Sequence, residues 1–231
     1  MKRIFATLQT DVRLQQRNGF YYAAIFVLGI YALALTQLPL PGARLAWLLP
    51  AMAVNNLLIT SFYFAGGMVL LERSDGTIAA QVVTPLRTRE YVASKGLTLA
   101  LLGTCYNSII AALISGPRVA LALVPGLFAA ALLYALFGLV AVARYHSLNT
   151  YLLPSLLYVS VLAAPMLPYT LGWDHWLFYL HPIQAPFTLM RAAIEPVPGW
   201  QQLVSLILTL LAGVLTFRLA CRSLERVRSA A

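Results

Sequence analysis

Six stretches of about 20 residues or more carry no ionisable side chain in their bodies, and that repetition decides which solvent the chain folds in. They are Phe20–Leu38, Leu45–Leu71, Gly96–Gly116, Val119–Ala143, Tyr151–Gly172 and Gln201–Leu219, with Arg218 at the edge of the last. A hydrocarbon core about 30 Å thick is crossed by roughly 20 helical residues at 1.5 Å each. Backbone groups in lipid have no water to bond, so each stretch has to satisfy them internally, as a helix. The pattern predicts an all-α integral membrane protein with six transmembrane helices, in one membrane domain over residues 1–231. Composition agrees: 61% hydrophobic residues, 10% charged ones and a mean hydropathy of +0.79 leave too little polar surface for a water-soluble body. Near the N-terminus the Ala32-Leu33-Ala34 segment resembles a cleavage site, but the apolar run continues to Leu38. A retained first helix is expected there rather than a signal peptide.

The net charge of +9 is explained by orientation. With an even number of spans both termini share a side, and 13 of the 16 Lys and Arg residues fall on that side. These are Lys2, Arg3, Arg13 and Arg17 before the first span, Arg73, Arg87, Arg89 and Lys95 after the second, Arg144 after the fourth, and Arg218, Arg222, Arg226 and Arg228 at the end. Arg44, Arg118 and Arg191 fall opposite. The positive-inside rule then places both termini in the cytoplasm, as expected for a multi-pass protein of a bacterial inner membrane, and no nucleic-acid partner is needed. Residues 1–19 set Ile4, Phe5, Leu8 and Val12 at helical spacing against Arg3, Thr7, Thr10, Arg13 and Arg17. An amphipathic interfacial helix in the cytoplasmic headgroup plane is expected, contacting membrane lipid. Residues 220–231 read as a cytoplasmic tail. Cys105 and Cys221 have neither the number nor the spacing of a disulfide framework or metal site.

The segment Glu72–Lys95, ERSDGTIAAQVVTPLRTREYVASK, is the most patterned hydrophilic stretch. Asp75 or Thr77 offers an N-cap, Ile78, Val82 and Val83 an apolar edge, and Pro85 disfavours helix at Thr84. Thr88 offers a second cap, with Glu90 suited to the positive end of the following helix. A short rod between two long helices could transmit force; an ordinary capped loop fits the same residues. The segment resembles the cytoplasmic coupling region of type 2 ABC transporter permeases through Glu72-Arg73, Gly76-Thr77, Thr84-Pro85 and the run from Arg87 to Lys95. Together with Arg13–Ala23 (RLQQRNGFYYA), it looks closest to bacterial fluoroquinolone-type drug export permeases.

The resemblance implies a permease that works with a second copy or paralogue and with two ABC nucleotide-binding subunits, which bind the ATP and Mg. It implies an ATPase contact made by Glu72, Arg73, Asp75, Gly76, Thr77, Thr84 and Pro85, and a smaller one at Arg144 and His146 in the loop after the fourth span. No G-x-x-x-x-G-K-[ST] phosphate loop occurs, so this chain is expected to bind no cofactor and to be no enzyme by itself. Headgroup anchoring by Arg144-Tyr145-His146 is the competing reading of the second contact.

Between the fifth and sixth spans, residues 173–200 are too polar for a span and too apolar to float free. Trp173, Trp176, Tyr179 and Trp200 suit the outer interface, and Pro182, Pro186, Pro196 and Pro198 divide the segment. The resemblance implies short re-entrant helices. Asp174, His175 and His181 lack metal-site spacing, and Arg191 and Glu195 suit a surface pair. Inside the spans Asn55, Asn56, Thr60 and Asn107 are candidate lumen residues for a lipophilic small-molecule substrate, with helix–helix hydrogen bonding as the alternative. No acidic residue is expected to be buried, which argues against ion coupling and for an external energy source. A membrane-embedded lipid-processing enzyme and a non-transporting scaffold stay open as alternatives.

Overall fold

A computed structural model describes residues 2–37, 42–78, 86–171, 173, 178 and 180–229. All regular structure among them is helical. The order is α1 (Lys2–Arg17), α2 (Phe20–Gln37), α3 (Gly42–Leu57), a π-helical turn (Leu58–Tyr63), α4 (Phe64–Ser74), α5 (Thr88–Ser115), α6 (Pro117–Val142), α7 (Leu148–Ala163), α8 (Met166–Thr170), α9 (Gln184–Arg191) and α10 (Gly199–Ser229). Among the described residues, four helices are long and apolar enough to cross a membrane: Trp47–Ser74, Thr88–Ser115, Pro117–Val142 and Gly199–Val227. Phe20–Ala34 and Leu148–Ala163 are apolar but shorter. The expected fifth span, 151–172, is divided because the helix ends at Ala163 and Pro165 caps the separate α8. The expected tail is a continuation of α10, which runs to Ser229.

Local sequence explains the helix ends. Gly19 (φ 78°) lets the chain turn from α1 into α2. The Glu90 carboxylate accepts a hydrogen bond from the Arg87 N–H at 3.0 Å, so α5 is capped one residue earlier than Thr88. At the other end of α5, Gly116 (φ 83°) closes the turn and Pro117 opens α6. The Ser147 hydroxyl accepts from the Thr150 N–H to start α7.

Packing centres on α6, whose Leu127, Ala130, Ala131, Leu133, Tyr134, Ala135 and Leu139 are buried. Small residues set its approach to its neighbours. A methyl at Gly138 would lie 2.4 Å from the Phe62 carbonyl oxygen, so α6 meets the π-helical turn almost backbone to backbone. A methyl at Gly126 would lie 2.8 Å from the Met190 backbone nitrogen, so α9 also sits closer than a side chain there would allow. Tyr169 donates to the Trp47 carbonyl at 2.6 Å and stacks on Trp47, while its ring meets Phe187 edge-on. These contacts seat α9 among α3, α6 and α8, so part of the segment expected at the outer interface packs into the bundle. Trp173 and Trp200 are exposed and Arg191 pairs with Glu195 at 3.3 Å; Asp174, His175, Trp176 and Tyr179 lie outside the described residues.

His181 spends both ring nitrogens on backbone. Nδ1 accepts from the Ile183 N–H at 3.2 Å, so Nε2 carries the proton and donates to the Val161 carbonyl at 2.9 Å. Burial pushes its pKa below the usual histidine value, against the Val161 bond, which raises it.

Two outcomes follow. Gly138→Val should destabilise the protein by about 1–3 kcal/mol through overpacking, read as a lower thermal midpoint in detergent. Because His181 is held neutral in the fold, the unfolded chain binds more protons below about pH 6.5. Stability should therefore fall as pH drops through that value toward the depressed folded pKa, and the slope should shrink in His181→Gln, measured by thermal unfolding across pH.

Candidate functional site

The two roots of the patterned loop are charged, and the fold buries both. Glu72 stands in the last turns of α4 and Lys95 in the second turn of α5; they are 5% and 0% exposed. The Lys95 ammonium donates to Glu72 at 2.6 Å and to Asp11 of α1 at 2.9 Å, and Asp11 is 3% exposed. Two carboxylates around one ammonium leave a formal negative charge, which hydroxyl donors share. Tyr91 donates to the second Glu72 oxygen at 2.6 Å, and Ser94 donates to Asp11. The Lys95 ammonium also lies 4.6 Å from the centre of the Tyr91 ring. One turn further on, Gln15 of α1 donates to the Thr98 hydroxyl at 2.8 Å.

The arrangement follows from helical spacing. Tyr91, Ser94, Lys95 and Thr98 are separated by three or four residues and form a polar stripe on α5, and Asp11 and Gln15 form its counterpart on α1. Breaking a buried pair leaves an uncompensated charge, at roughly 3–5 kcal/mol, so these groups hold one another in place. The expectation that no acidic residue is buried is wrong: Asp11 and Glu72 both are. It fails because the uncharged run begins only at Gly96, so that Lys95 reads as part of a solvated loop. Asp11 was the available signal, as one of only seven acidic residues and the only one before Glu72. Helix α1 also keeps an exposed apolar edge, with Phe5 73% exposed, while its polar stripe docks on α5.

Around the cluster the loop's first residues tie the bundle end together. Arg73 donates to the carbonyls of Tyr145 and Ala143, just past the end of α6. Asp75 caps α4 and lies 3.9 Å from Arg17. Gly76 (φ 67°) takes the left-handed conformation that lets the chain leave α4, its N–H bonded to the Arg73 carbonyl at 3.1 Å. Thr77 and Ile78 are helical, and Ile78 is buried. Thr84, Pro85 and most of the expected short helix lie outside the described residues. Arg144 and His146 are exposed and line a cavity of about 550 Å³ with Arg73, Ser74, Ser223 and Arg226. The two candidate contact regions are thus adjacent. The segments that carry most of the basic residues meet at this one end.

The candidate lumen residues separate into two environments. Asn56, Thr60 and Asn107 are buried, with Asn56 donating to Asn107 at 3.3 Å between α3 and α5, and Thr60 bonding back to the Asn56 carbonyl. Asn55 is exposed and accepts from the Tyr31 hydroxyl of α2 at 2.9 Å. No cluster of three or more potential metal ligands occurs among the described residues.

The family model described as the fluoroquinolones export permease protein family matches residues 2–228, almost from end to end. The chain belongs to that family. Fluoroquinolones export permease proteins of two strains of Mycobacterium tuberculosis are each 32% identical to it over 205 residues, covering 87% of this chain and 86% of theirs. Membership makes the chain a multi-pass membrane permease of a drug-export family, in keeping with the type 2 ABC permease likeness carried by Glu72–Lys95.

Lys95→Met strands two buried carboxylates and should cost about 3–5 kcal/mol. Asp11→Asn/Glu72→Gln/Lys95→Met removes all the charge together and should recover most of that loss. Thermal unfolding of the purified proteins in one detergent checks it: equal losses in the single and triple variants would mean that the three charges do not compensate one another.

Proposed function

We propose that the chain is the membrane-spanning subunit of an ATP-driven ABC exporter, in which a second permease copy or paralogue and two nucleotide-binding subunits complete the machine. The basic end of the bundle faces the cytoplasm with both termini, and the four long helices, α2, and α7 with α8 make six crossings. The partner ATPases bind ATP and Mg; this chain binds neither and catalyses nothing alone.

The observation that carries this reading is where the ion pairs sit. Glu72 and Lys95 flank the loop that the ATPase would push, and Asp11 and Lys95 add α1 to the same unit. Arg73 extends the connection to the turn after α6. A force on residues 75–87 therefore reaches α1, α4, α5 and the end of α6 at once, without first bending a flexible root. Asp75, Gly76 and Thr77, together with Thr84 and Pro85, form the main ATPase contact, and Arg144 and His146 the second; Glu72 and Arg73 act from behind Asp75–Thr77.

The names of the relatives suggest a fluoroquinolone-like, amphipathic drug as cargo. Few charged groups lie within the long apolar helices, which suits such a molecule and an external source of energy better than ion coupling. The lumen would then form between two permeases, with the exposed Asn55–Tyr31 pair on a surface available to it.

Reconstitution with an ABC nucleotide-binding subunit that co-purifies with the chain from its own host tests the proposal. ATP-dependent fluoroquinolone uptake into inside-out vesicles is expected. Gly76→Val, which opposes the left-handed turn, should reduce transport at least about tenfold while the complex still assembles. Uptake that persists with a hydrolysis-dead ATPase would refute ATP-driven export.

A further inference from the structure

A second cavity, of about 700 Å³, lies on the side of the bundle between α5, α6 and α10. Its two ends differ in chemistry. At the basic end it is lined by Arg89 at the start of α5 and by Arg218 and Arg222 of α10, with Glu225 as its acidic residue. Toward the bundle centre its walls are Leu97, Leu132, Leu136, Val214 and Phe217. The three arginines are exposed and have no hydrogen-bond or ion-pair partner among the described residues. From Arg222 to Gly213 the groove follows about 13 Å of helix at 1.5 Å per residue, rather more than half the depth of one bilayer leaflet with its headgroups, about 20 Å. Gly213 keeps that inner end open, since a methyl added there would meet nothing within 4 Å. The neighbouring face of α10 exposes Leu210, Leu211, Leu215 and Leu219, as a lipid-facing surface would.

We propose that this groove is a binding site for an anionic phospholipid of the leaflet at the basic end. The phosphate sits among Arg89, Arg218 and Arg222, whose planar guanidinium groups match its oxygens in pairs. One acyl chain lies along Leu132, Leu136, Val214 and Phe217. A soluble anion would use only the arginines, and a zwitterionic lipid would bring no net charge to meet them; the anionic lipid uses both halves. The site joins the start of α5 to α10, and its Arg89 stands six residues before Lys95 on the cluster's own helix. The proposal goes beyond the transport reading and needs no ATPase.

The test is binding of fluorescent phosphatidylglycerol and phosphatidylcholine to the purified full chain in detergent. Wild type should prefer phosphatidylglycerol at least about tenfold, since each arginine near an anionic headgroup contributes roughly fivefold. Arg89→Gln/Arg218→Gln/Arg222→Gln should abolish the preference. Gly213→Leu keeps every charge and fills the apolar half; it should weaken phosphatidylglycerol binding several-fold with the thermal midpoint retained. Equal affinities for the two lipids, a preference unchanged in the triple variant, or displacement by inorganic phosphate at millimolar concentration would overturn the proposal. None of these outcomes depends on whether the chain exports a drug.

Discussion

The ammonium of Lys95, shared between Asp11 and Glu72, is the interaction on which the basic end of this structure depends. An ion at the base of a membrane-spanning bundle is tolerated only where partners replace the water it loses, and here the partners come from two other helices. A chain that has to bring α1 and α4 to α5 for that reason also fixes where its loop begins and ends. The same requirement explains why the polar stripe on α5 continues as Tyr91, Ser94 and Thr98: each adds a donor or an acceptor to groups that would otherwise be buried unpaired.

Away from that end, close packing rather than charge sets the geometry. Gly138 and Gly126 let α6 touch the π-helical turn and α9 at distances that no side chain would permit. Aromatic contacts of Trp47, Tyr169 and Phe187 hold α9 in place. Van der Waals contact of this kind is the main source of helix association where lipid tails are as apolar as the side chains. The α6 helix is thus the body against which the polar end is held, through the Arg73 bonds to Ala143 and Tyr145.

Much of this was legible in the sequence. Hydropathy located the long apolar helices, and the basic segments do gather at one end. The Arg191–Glu195 pair and the Glu90 role at the start of α5 were also readable, because both depend on spacing within one helix. Boundaries were less so: the third span starts eight residues before Gly96, since a charged residue paired by other helices looks like loop sequence. The burial of Asp11 was hidden for the same reason, as it depends on contacts with Ser94 and Lys95 of α5, 83 and 84 residues away in sequence. The division of the fifth span at Pro165 could have been read from its Pro165 and Pro168, which outweigh a continuous apolar run. Asn56 and Asn107 could be read equally as lumen or as helix contact until the fold brought them together.

The central claim is mechanical: α1 and the root of α5 move as one piece when the loop between α4 and α5 is pushed. Spin labels at Gln16 of α1 and Arg87 at the start of α5, in a Cys105→Ser/Cys221→Ala background, would measure it by pulsed electron resonance in the proposed complex with a nucleotide-binding subunit. The account predicts the same narrow distance distribution without nucleotide and with ATP trapped, and a broadened one when Lys95→Met is added. A distance that shifts on ATP trapping in the otherwise native protein, or one that Lys95→Met leaves unchanged, would contradict it.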